Sequence, residues 1–454
     1  MNNRNRTSAR FVAAGTMVLA FAATATAQST TPLAELLPSL SAEAAVVAPG
    51  TVGDHRGHFA PDPATLAGVY ELNRVMALQA GGFAFGPSAL AAATPMAEGR
   101  SLPAAAGGGA ETALTIGAGN WAFALGYQAT TFDTLDDIDL RASDMNLFLP
   151  HAAVTGTAAD RDLMQQVVSL RLNRKVASLA LTYGLSDRVD LGVIVPFVQM
   201  HADARVTSRI IRTGSSIYPG QTEHQFDPIG GANRTLPRYC SELEAGFDPD
   251  ALQCHGSSEG RGVGDILVRA KVRLAGAVAA GADVRVPTGR VDDFIGIGAW
   301  QVRPYVAVSG AIGRVVPRVR VDYTWSDGDL SAKLGGDVDR RVPDEVGVSA
   351  GVDAGISRYV ALVFDVAARR IDGLRTLSTT TLEFPGRGVG GGTFLAEGAL
   401  VAGDARTVTQ TLGAGGVRLS LPGDLLGQMS VVFPIGRDGL QPGPTAVFSL
   451  TRSY

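Results

Sequence analysis

The sequence has no internal run of apolar residues long enough to cross a membrane as a helix. Such a helix needs about 20 consecutive apolar residues, and no stretch beyond the N-terminus approaches that length. Cysteine is also scarce, with 2 in 454 residues, and no paired Cys-x-x-Cys spacing is present to hold a metal. The sequence therefore predicts neither a helical membrane protein nor a domain organised around cysteine-bound metal.

Charge is scarce as well, and no sign dominates. Charged residues make up 18 % of the chain, with 39 Lys and Arg against 43 Asp and Glu, whereas soluble proteins average about 25 %. This balance disfavours a nucleic-acid-binding protein, which would carry a basic surface. A hydrophobic content of 46 % excludes a disordered chain. The 56 glycines follow no triplet period, so a collagen-like structure is excluded.

The two cysteines lie close together in a polar stretch that contains Gly and Pro. We predict that Cys240 and Cys254 form a loop disulfide, which suits an oxidising compartment. Metal binding by this pair is disfavoured because only His255 is adjacent. The histidines look scattered along the chain, and we predict no metal site and no cofactor. They are His55, His58, His151, His201, His224 and His255.

The N-terminus has the features of a secretory signal peptide. Arg4, Arg6 and Arg10 precede a short apolar stretch at 11–23, and an Ala-x-Ala site ends at Ala27. A membrane anchor is disfavoured because the apolar stretch is too short to span a bilayer. We therefore predict a signal peptide over residues 1–27 that is removed after Ala27.

From about residue 118 the sequence alternates with a period of two. Val319, Val321 and Tyr323, for example, alternate with Arg320 and Asp322. One face is apolar and the other carries full charges, which is typical of β-strands rather than of a helical stripe. We predict twelve strands at 118–132, 165–184, 188–206, 261–275, 277–288, 299–311, 313–327, 344–356, 358–371, 406–421, 425–436 and 442–454.

The connections between these strands alternate between tight turns and long loops. The long loops are predicted at 133–164, 207–260, 328–343 and 372–405. An even strand number with this alternation is typical of outer-membrane barrels. We predict an all-β fold for residues 118–454, a transmembrane up-and-down antiparallel β-barrel of about 12 strands in the outer membrane of a Gram-negative bacterium. A secreted β-sandwich is disfavoured because it gives no reason for the turn lengths to alternate.

Aromatic residues fall at the predicted rims of this barrel. Trp300 and Trp325 lie at the outer rim, whereas Trp121, Tyr183 and Tyr454 lie at the inner rim, as in the two aromatic girdles of barrels in lipid. The last strand ends on an aromatic residue, which resembles the signal for the barrel-assembly machinery. The predicted partners are therefore this machinery, outer-membrane lipid and lipopolysaccharide, with no nucleic acid.

The polar face of the strands is predicted to line the lumen. One interpretation is that these charges brace the wall through cross-strand ion pairs, because unpaired ions are costly to desolvate. The other is that the bases bias a narrow pore toward anions. The predicted pore-lining residues are Asp190, Asp265, Arg269, Lys271, Arg273, Asp283, Arg285, Arg303, Arg320, Asp322, Asp353, Asp365, Arg369 and Arg418.

Residues 28–117 do not have the strand pattern. They are rich in Ala, Pro and Gly and contain one helix-like stretch at 66–76. Two interpretations remain open, a flexible periplasmic leader and a plug folded into the lumen. In the second, Phe83 and Phe85 are the side chains expected to insert.

Sites for catalysis or for a cation are weakly indicated. The sequence contains no phosphate-binding loop and no nucleophile elbow, and we predict that the protein is not an enzyme. Four acids in the first long loop could bind a divalent cation or form an ordinary solvated loop. These acids are Asp133, Asp136, Asp137 and Asp139.

Five stretches carry motifs of a known kind: LTYGLSDRVDLGVIVPF at 181–197, GVGDILVRAK at 262–271, DVRVPTG at 283–289, GGF at 81–83 and ETALTIG at 111–117. Together they resemble a family of outer-membrane proteins associated with the phenol meta-cleavage pathway. The resemblance implies an outer-membrane barrel that transports small molecules. The resemblance does not identify the substrate. We predict a channel through which small molecules, hydrophobic or aromatic ones among them, pass by passive diffusion, and the alternative is a non-conducting structural or surface-binding barrel.

Overall fold

The computed structural model describes most of the chain downstream of the predicted signal peptide. Residues 1–27 and the two predicted plug residues Phe83 and Phe85 lie outside the described residues. No helix within the described part is both long and apolar enough to cross a bilayer. The described residues are 31–47, 57–59, 63–82, 111–142, 145–151, 161–214, 224–226, 240–241, 250–328, 341–385, 392–423 and 425–454.

Within the described residues the wall has twelve strand positions, one of which β7 and β8 share, and four short strands, β2, β3, β6 and β16, extend or brace it. The strands are β1 (Trp121–Leu135), β2 (Ile138–Asp139), β3 (Met145–Pro150), β4 (Leu163–Ser186), β5 (Val189–Ile211), β6 (Cys240–Ser241), β7 (Ala251–Val263), β8 (Ile266–Ala275), β9 (Val278–Val286), β10 (Trp300–Ser309), β11 (Val315–Asp327), β12 (Glu345–Gly355), β13 (Val360–Pro385), β14 (Thr393–Leu421), β15 (Leu425–Pro434), β16 (Leu440–Pro442) and β17 (Thr445–Ser453).

The wall closes on itself. Each long strand pairs antiparallel with the next along the chain, and β7 continues the line of β8 beside β5. Closure is made between β1 and β17, from Ala122 opposite Ser453 to Ala129 opposite Ala446. The prediction of an all-β, closed 12-strand antiparallel barrel is confirmed.

One part of the wall is apolar outside and charged inside, and we call it the membrane tier. It comprises β8 to β12, β15, β17 and the adjoining parts of the longer strands. On β11 the outward Val319 and Val321 are 45 % and 49 % exposed, whereas the inward Arg318 and Arg320 are 1 % and 7 % exposed. An exposed apolar band over a polar interior is the arrangement of a barrel in a bilayer.

Other strands are much longer than a bilayer requires. A spanning strand needs about 9–11 residues, and β9 and β17 have 9 each. By contrast β4, β5, β13 and β14 have 24, 23, 26 and 29. Their extra residues continue the wall beyond the membrane tier on the side of the long connections. We call this extension the outer tier.

The outer tier reverses the polarity of the membrane tier. Along β5 the outward-facing Arg205 and Arg209 are exposed, while the inward-facing Met200, Ala204 and Val206 are buried. The outward face here carries exposed charged side chains and the inward face surrounds an apolar core. The wall therefore resembles a soluble sheet above the membrane and a lipid-facing sheet within it.

The predicted long loops at 207–260 and 372–405 are wrong in part. The first contains the end of β5 and most of β7, and the second is largely the paired extension of β13 and β14. The loop predicted at 133–164 likewise contains β2 and β3. The period of two continues in these segments, but the apolar residues now lie on the inward face and the polar residues on the outward face. A prediction that requires an apolar outward face therefore ends these strands too early.

Two helices lie inside the wall among the described residues. Helix α1 (Leu33–Ala44) packs Leu36 and Leu40 against β5 and β7. At Gly256 of β7, an added Cβ would lie 3.2 Å from the Leu36 side chain, so glycine lets the helix approach the wall. Helix α2 (Pro63–Gly81) covers the stretch predicted to be helical, and every residue from 71 to 80 is buried.

A hydrogen bond joins the two helices at a carbonyl group that Pro38 leaves without a backbone donor. Pro38 lies inside α1 and has no N–H to donate to the carbonyl oxygen of Ala34, four residues earlier. The Nδ2 atom of Asn73 in α2 donates to that oxygen instead, at 2.5 Å. A buried carbonyl is thus satisfied by the neighbouring helix, which fixes the register between them.

Candidate functional site

The lumen of the membrane tier is crossed by a group of ion pairs that we call the central ion cluster. Its members come from five wall strands and from residues 111–117, which precede β1. Acids and bases are equal in number. The cluster consists of Glu111, Asp190, Asp283, Asp322, Arg269, Lys271, Arg303 and Arg320.

Asp283 is the main acid on the wall side of this cluster. It lies directly opposite Arg269 on the neighbouring strand, whose guanidinium binds both carboxylate oxygens at 2.6 and 3.0 Å. Arg320 and Arg303 contact Oδ2 at 3.0 and 3.1 Å. Three guanidinium groups thus surround one buried carboxylate through charge-assisted hydrogen bonds, and the other acids of the cluster balance the remaining positive charge.

Glu111 is the second buried acid of the cluster, and it belongs to the segment before β1 rather than to a wall strand. Its Oε2 atom accepts from Arg269 at 3.1 Å and from Arg320 at 3.0 Å, and its Oε1 atom lies 3.4 Å from the Lys271 ammonium. The hydroxyl of Tyr305 donates to Oε1 at 3.3 Å. Tyr305 lies opposite Gly281, where no Cβ could fit beneath its ring. Glu111 therefore ties residues 111–117 to the wall.

A second group of charges, which we call the lateral ion cluster, braces β11 to β14. Arg318 contacts Asp353 at 3.0 Å and Asp365 at 2.9 Å. Arg418 contacts Asp353 at 2.7 Å. All four side chains are almost fully buried, and the two bases balance the two acids. The group neutralises itself across four strands.

Both clusters favour the bracing interpretation over a charge-selective open pore. A pore biased toward anions requires bases that face water without partners, whereas these bases are paired. The cavity beside Glu111, Asp190 and Lys271 has a volume of about 10 Å³, which is near the minimum for one water molecule. At this level the side chains fill the space between the wall and residues 111–117.

Two predicted pore-lining arginines hold the end of α2. Arg369 donates to the carbonyl oxygen of Gly82 at 2.7 Å, and Arg285 donates to that of Gly81 at 3.3 Å. Cations at a helix C-terminus satisfy its last carbonyls and complement its dipole. Gln410 of β14 also donates to Gln79 Oε1 at 2.6 Å. Side chains of the wall therefore hold the C-terminal end of α2 by hydrogen bonds.

The N-terminal end of α1 is held by the connection between β9 and β10. The Ala34 N–H donates to the Asp292 carbonyl at 2.9 Å, and the Leu33 N–H faces Asp293 Oδ1 at 3.5 Å. Burial raises the pKa of Asp293, and the nearby Arg290 guanidinium opposes that rise. The side chain of Ser258 on β7 donates to the Thr31 carbonyl at 2.7 Å.

The other predicted lumen residues also face the interior. Asp265 accepts backbone N–H groups of Gly289 and Ile297 at 3.0 and 2.9 Å and lies 4.0 Å from Arg285. Arg273 lies at the turn side of the wall and donates to the Asp187 carbonyl at 2.9 Å.

Sequence reasoning missed several residues that complete these contacts. Arg318 shares the phase of Arg320 on β11, so the same alternation could have identified it. Glu111 and Gln79 come from segments without a strand pattern, and nothing in their spacing points to the wall. The structure also brings together His58, His151 and His224, so the expectation of scattered histidines is wrong for these three.

The predicted cysteine pair and the acidic loop lie in the outer part of the molecule. Cys240 and Cys254 form a disulfide that joins β6 to β7. In the loop after β1, Asp136 accepts the N–H groups of Gly439 and Leu377 at 2.8 and 3.1 Å. Burial raises the pKa of Asp136 and these two N–H groups oppose the rise. This acid therefore fastens a loop.

The outward face of the outer tier carries a polar surface. Asn173, His201 and Glu259 face outward in adjacent register on β4, β5 and β7, and Gln199 donates to Glu259 at 2.7 Å. With Lys175 they border a cavity of about 340 Å³. The surface is polar because this part of the wall lies beyond the apolar band.

Comparisons with known proteins add little to these observations. No protein-family model matches the sequence, and no curated protein matches it significantly. The chain is similar in structure to an outer membrane channel from Pseudomonas putida F1, at 15 % identity and a TM-score of 0.41 over 75 % of this chain and 97 % of that one.

Two further solved structures are similar at lower scores. A FadL homologue from Pseudomonas aeruginosa is 9 % identical with a TM-score of 0.30, over 74 % of this chain and 90 % of that one. The toluene transporter TbuX of Ralstonia pickettii is 10 % identical with a TM-score of 0.28, over 76 % and 91 %. The closed pairing of this chain's own strands establishes the barrel independently of these likenesses.

Proposed function

We propose that this protein is an outer-membrane channel for small molecules whose lumen is occupied by its own N-terminal segment. The observation that carries the proposal is the complete burial of residues 71–80 of α2 within a closed wall that has an apolar exterior band. The signal peptide predicted over residues 1–27 and the closed barrel together favour the outer membrane of a Gram-negative bacterium. Passage would be passive diffusion that requires the helices to move.

The proposed substrates are small hydrophobic or aromatic molecules. The inner face of the outer tier supports this choice, because Met164, Val168, Leu170 and Val206 present apolar side chains toward the helices. A solute entering from outside would meet this surface before the ion clusters. The resemblance to proteins associated with the phenol meta-cleavage pathway agrees with this class but stays a prediction.

Conductance in planar bilayers tests the proposal. The mature chain is compared with a deletion of residues 28–82, which removes both helices and keeps Glu111 in the central ion cluster. We expect small, rare currents for the mature chain and larger, sustained currents for the deletion. Currents of equal size would show that the N-terminal segment does not control passage.

A point substitution gives a milder form of the same test. Arg369→Ala removes the main cation at the C-terminus of α2, whereas Arg370→Ala alters the adjacent residue, which faces outward and pairs with Asp372 at 3.1 Å. We expect more frequent openings for Arg369→Ala than for Arg370→Ala.

The second candidate function is a non-conducting barrel that serves as a structural or surface-binding element. It is favoured by the filling of the lumen by paired charges. Absence of conductance in the mature chain and in the deletion, with both correctly inserted, would select this candidate.

The substrate class proposed for the channel is tested by comparing liposome swelling with neutral aromatic and charged solutes of similar size.

A further inference from the structure

Three histidines from distant parts of the chain meet at the outer end of the barrel. His58 lies between α1 and α2, His151 follows β3, and His224 lies in the connection after β5. His58 Nδ1 lies 2.8 Å from His151 Nε2 and 3.1 Å from His224 Nε2. His151 Nε2 and His224 Nε2 are also 3.1 Å apart. One nitrogen from each ring therefore points to a common centre.

We propose that this triad binds one zinc ion. Hydrogen bonds alone do not account well for the triangle, because each of these nitrogens has one in-plane proton or lone pair, and a proton can point to only one neighbour. A cation at the centre accepts all three lone pairs at once. At Zn–N distances of about 2.0–2.1 Å in tetrahedral geometry the nitrogens are separated by about 3.3 Å, so a shift of a few tenths of an ångström opens the site.

A buried carboxylate prepares one ring for this role. Asp162 Oδ2 lies 2.9 Å from His224 Nδ1, and both side chains are inaccessible to solvent. An N–H at Nδ1 that donates to Asp162 leaves the lone pair on Nε2, the atom that faces the other two rings. The Gly214 N–H donates to Asp162 Oδ1 at 2.9 Å and fixes the carboxylate. Carboxylate–histidine pairs of this kind orient ligands in zinc sites.

The surroundings favour zinc over the alkaline-earth ions. Imidazole nitrogen suits zinc, whereas calcium and magnesium prefer several oxygen ligands. The ring of Phe59 is fully buried and lies edge-on to His224 and His151, with centroids 5.0 and 5.6 Å away. It covers one side of the triad. His58 and His151 are half-buried, so the other side admits the ion and a water molecule as fourth ligand.

A bound ion would fasten three segments that are far apart in sequence. It would link the stretch between the two internal helices to the end of β3 and to the connection after β5. The N-terminal segment would then be held at the outer end by zinc. This inference is independent of the proposed channel, because it concerns binding alone.

Zinc titration of the mature, chelator-treated protein tests the proposal. We expect one ion per chain by calorimetry, with no comparable binding of calcium, and visible absorption typical of tetrahedral coordination when cobalt replaces zinc. His151→Ala should abolish this binding, and Asp162→Asn should weaken it about 10–100-fold. His255→Ala is the matched control, because that exposed histidine pairs with Asp203 on the outer face.

Two outcomes would overturn the proposal. One is a mature protein that binds zinc no more tightly than His151→Ala does, and the other is equal loss of binding in His255→Ala. Should His151→Ala fail to insert as a barrel, His151→Gln keeps the ring position polar and provides the same comparison. The wild-type titration decides the matter without any variant, since absence of stoichiometric binding refutes the site.

Discussion

At the scale of single residues, the interior charges work as mutually dependent groups. Asp283 pairs with three guanidinium groups, and its removal would leave the interior of the central ion cluster with one uncompensated positive charge. The contribution of such a group is therefore measured mainly as the loss in the free energy of unfolding when one member is removed.

We expect Asp283→Ala to lower the free energy of unfolding by about 3–5 kcal/mol, because it leaves one buried positive charge uncompensated. Urea unfolding in lipid vesicles, followed by tryptophan fluorescence, measures this change. Asp372→Ala removes an exposed acid that pairs with Arg370, and we expect little change there. An equal effect of the two substitutions would contradict the role of Asp283.

Some of these residues could be predicted from the sequence and others could not. Arg269 and Asp283 fall on the same phase of adjacent strands joined by a tight turn, so alternation alone places them face to face. Glu111 reaches the same cluster from a segment without periodicity. Its position depends on how that segment enters the lumen, which local patterns do not encode.

At the scale of elements, the contact between the two helices compensates for a proline. The sequence predicts α2 from its apolar residues, whereas α1 was missed because Pro38 interrupts a short stretch. The lost backbone hydrogen bond is replaced by a side chain of another helix, and that replacement is not visible until both helices are placed.

We expect Asn73→Leu to loosen α1, because the Ala34 carbonyl would be buried without a donor at a cost of about 1–3 kcal/mol. Hydrogen exchange at residues 33–44 should become about tenfold faster or more. Adding Pro38→Ala to this variant restores a backbone N–H for Ala34 and should recover much of the protection. Exchange that is unaffected by either substitution would show that this contact contributes nothing.

Strands were predicted well where they lie in the bilayer and poorly above it. Within the membrane tier, valines on the outer face and arginines on the inner face gave the correct phase. In the outer tier the same period continues with the opposite polarity, as Met200 and Arg205 illustrate. Along one strand the outward face passes from lipid to solvent. A rule that expects apolar residues on the outward face therefore holds in the membrane tier and fails in the outer tier.

At the scale of the whole molecule, the two tiers define where the bilayer ends. We expect Val321→Arg to destabilise the barrel by about 2–4 kcal/mol, since its side chain faces lipid at the middle of β11. Thr207→Arg places the same charge on the outward face of β5 in the outer tier and should have little effect. Unfolding in vesicles measures both, and similar costs would contradict the proposed boundary.

The enclosure of α2 has a consequence for biogenesis. In the proposed outer-membrane protein, residues 63–81 would leave the export machinery before every wall strand, yet their final position is surrounded by strands, including some that emerge last. The segment would then stay in the periplasm until β17 meets β1, and the last seam would form around it. Chaperones that shield apolar helices during this interval, and the timing of seam closure, would then govern the yield of correctly assembled protein.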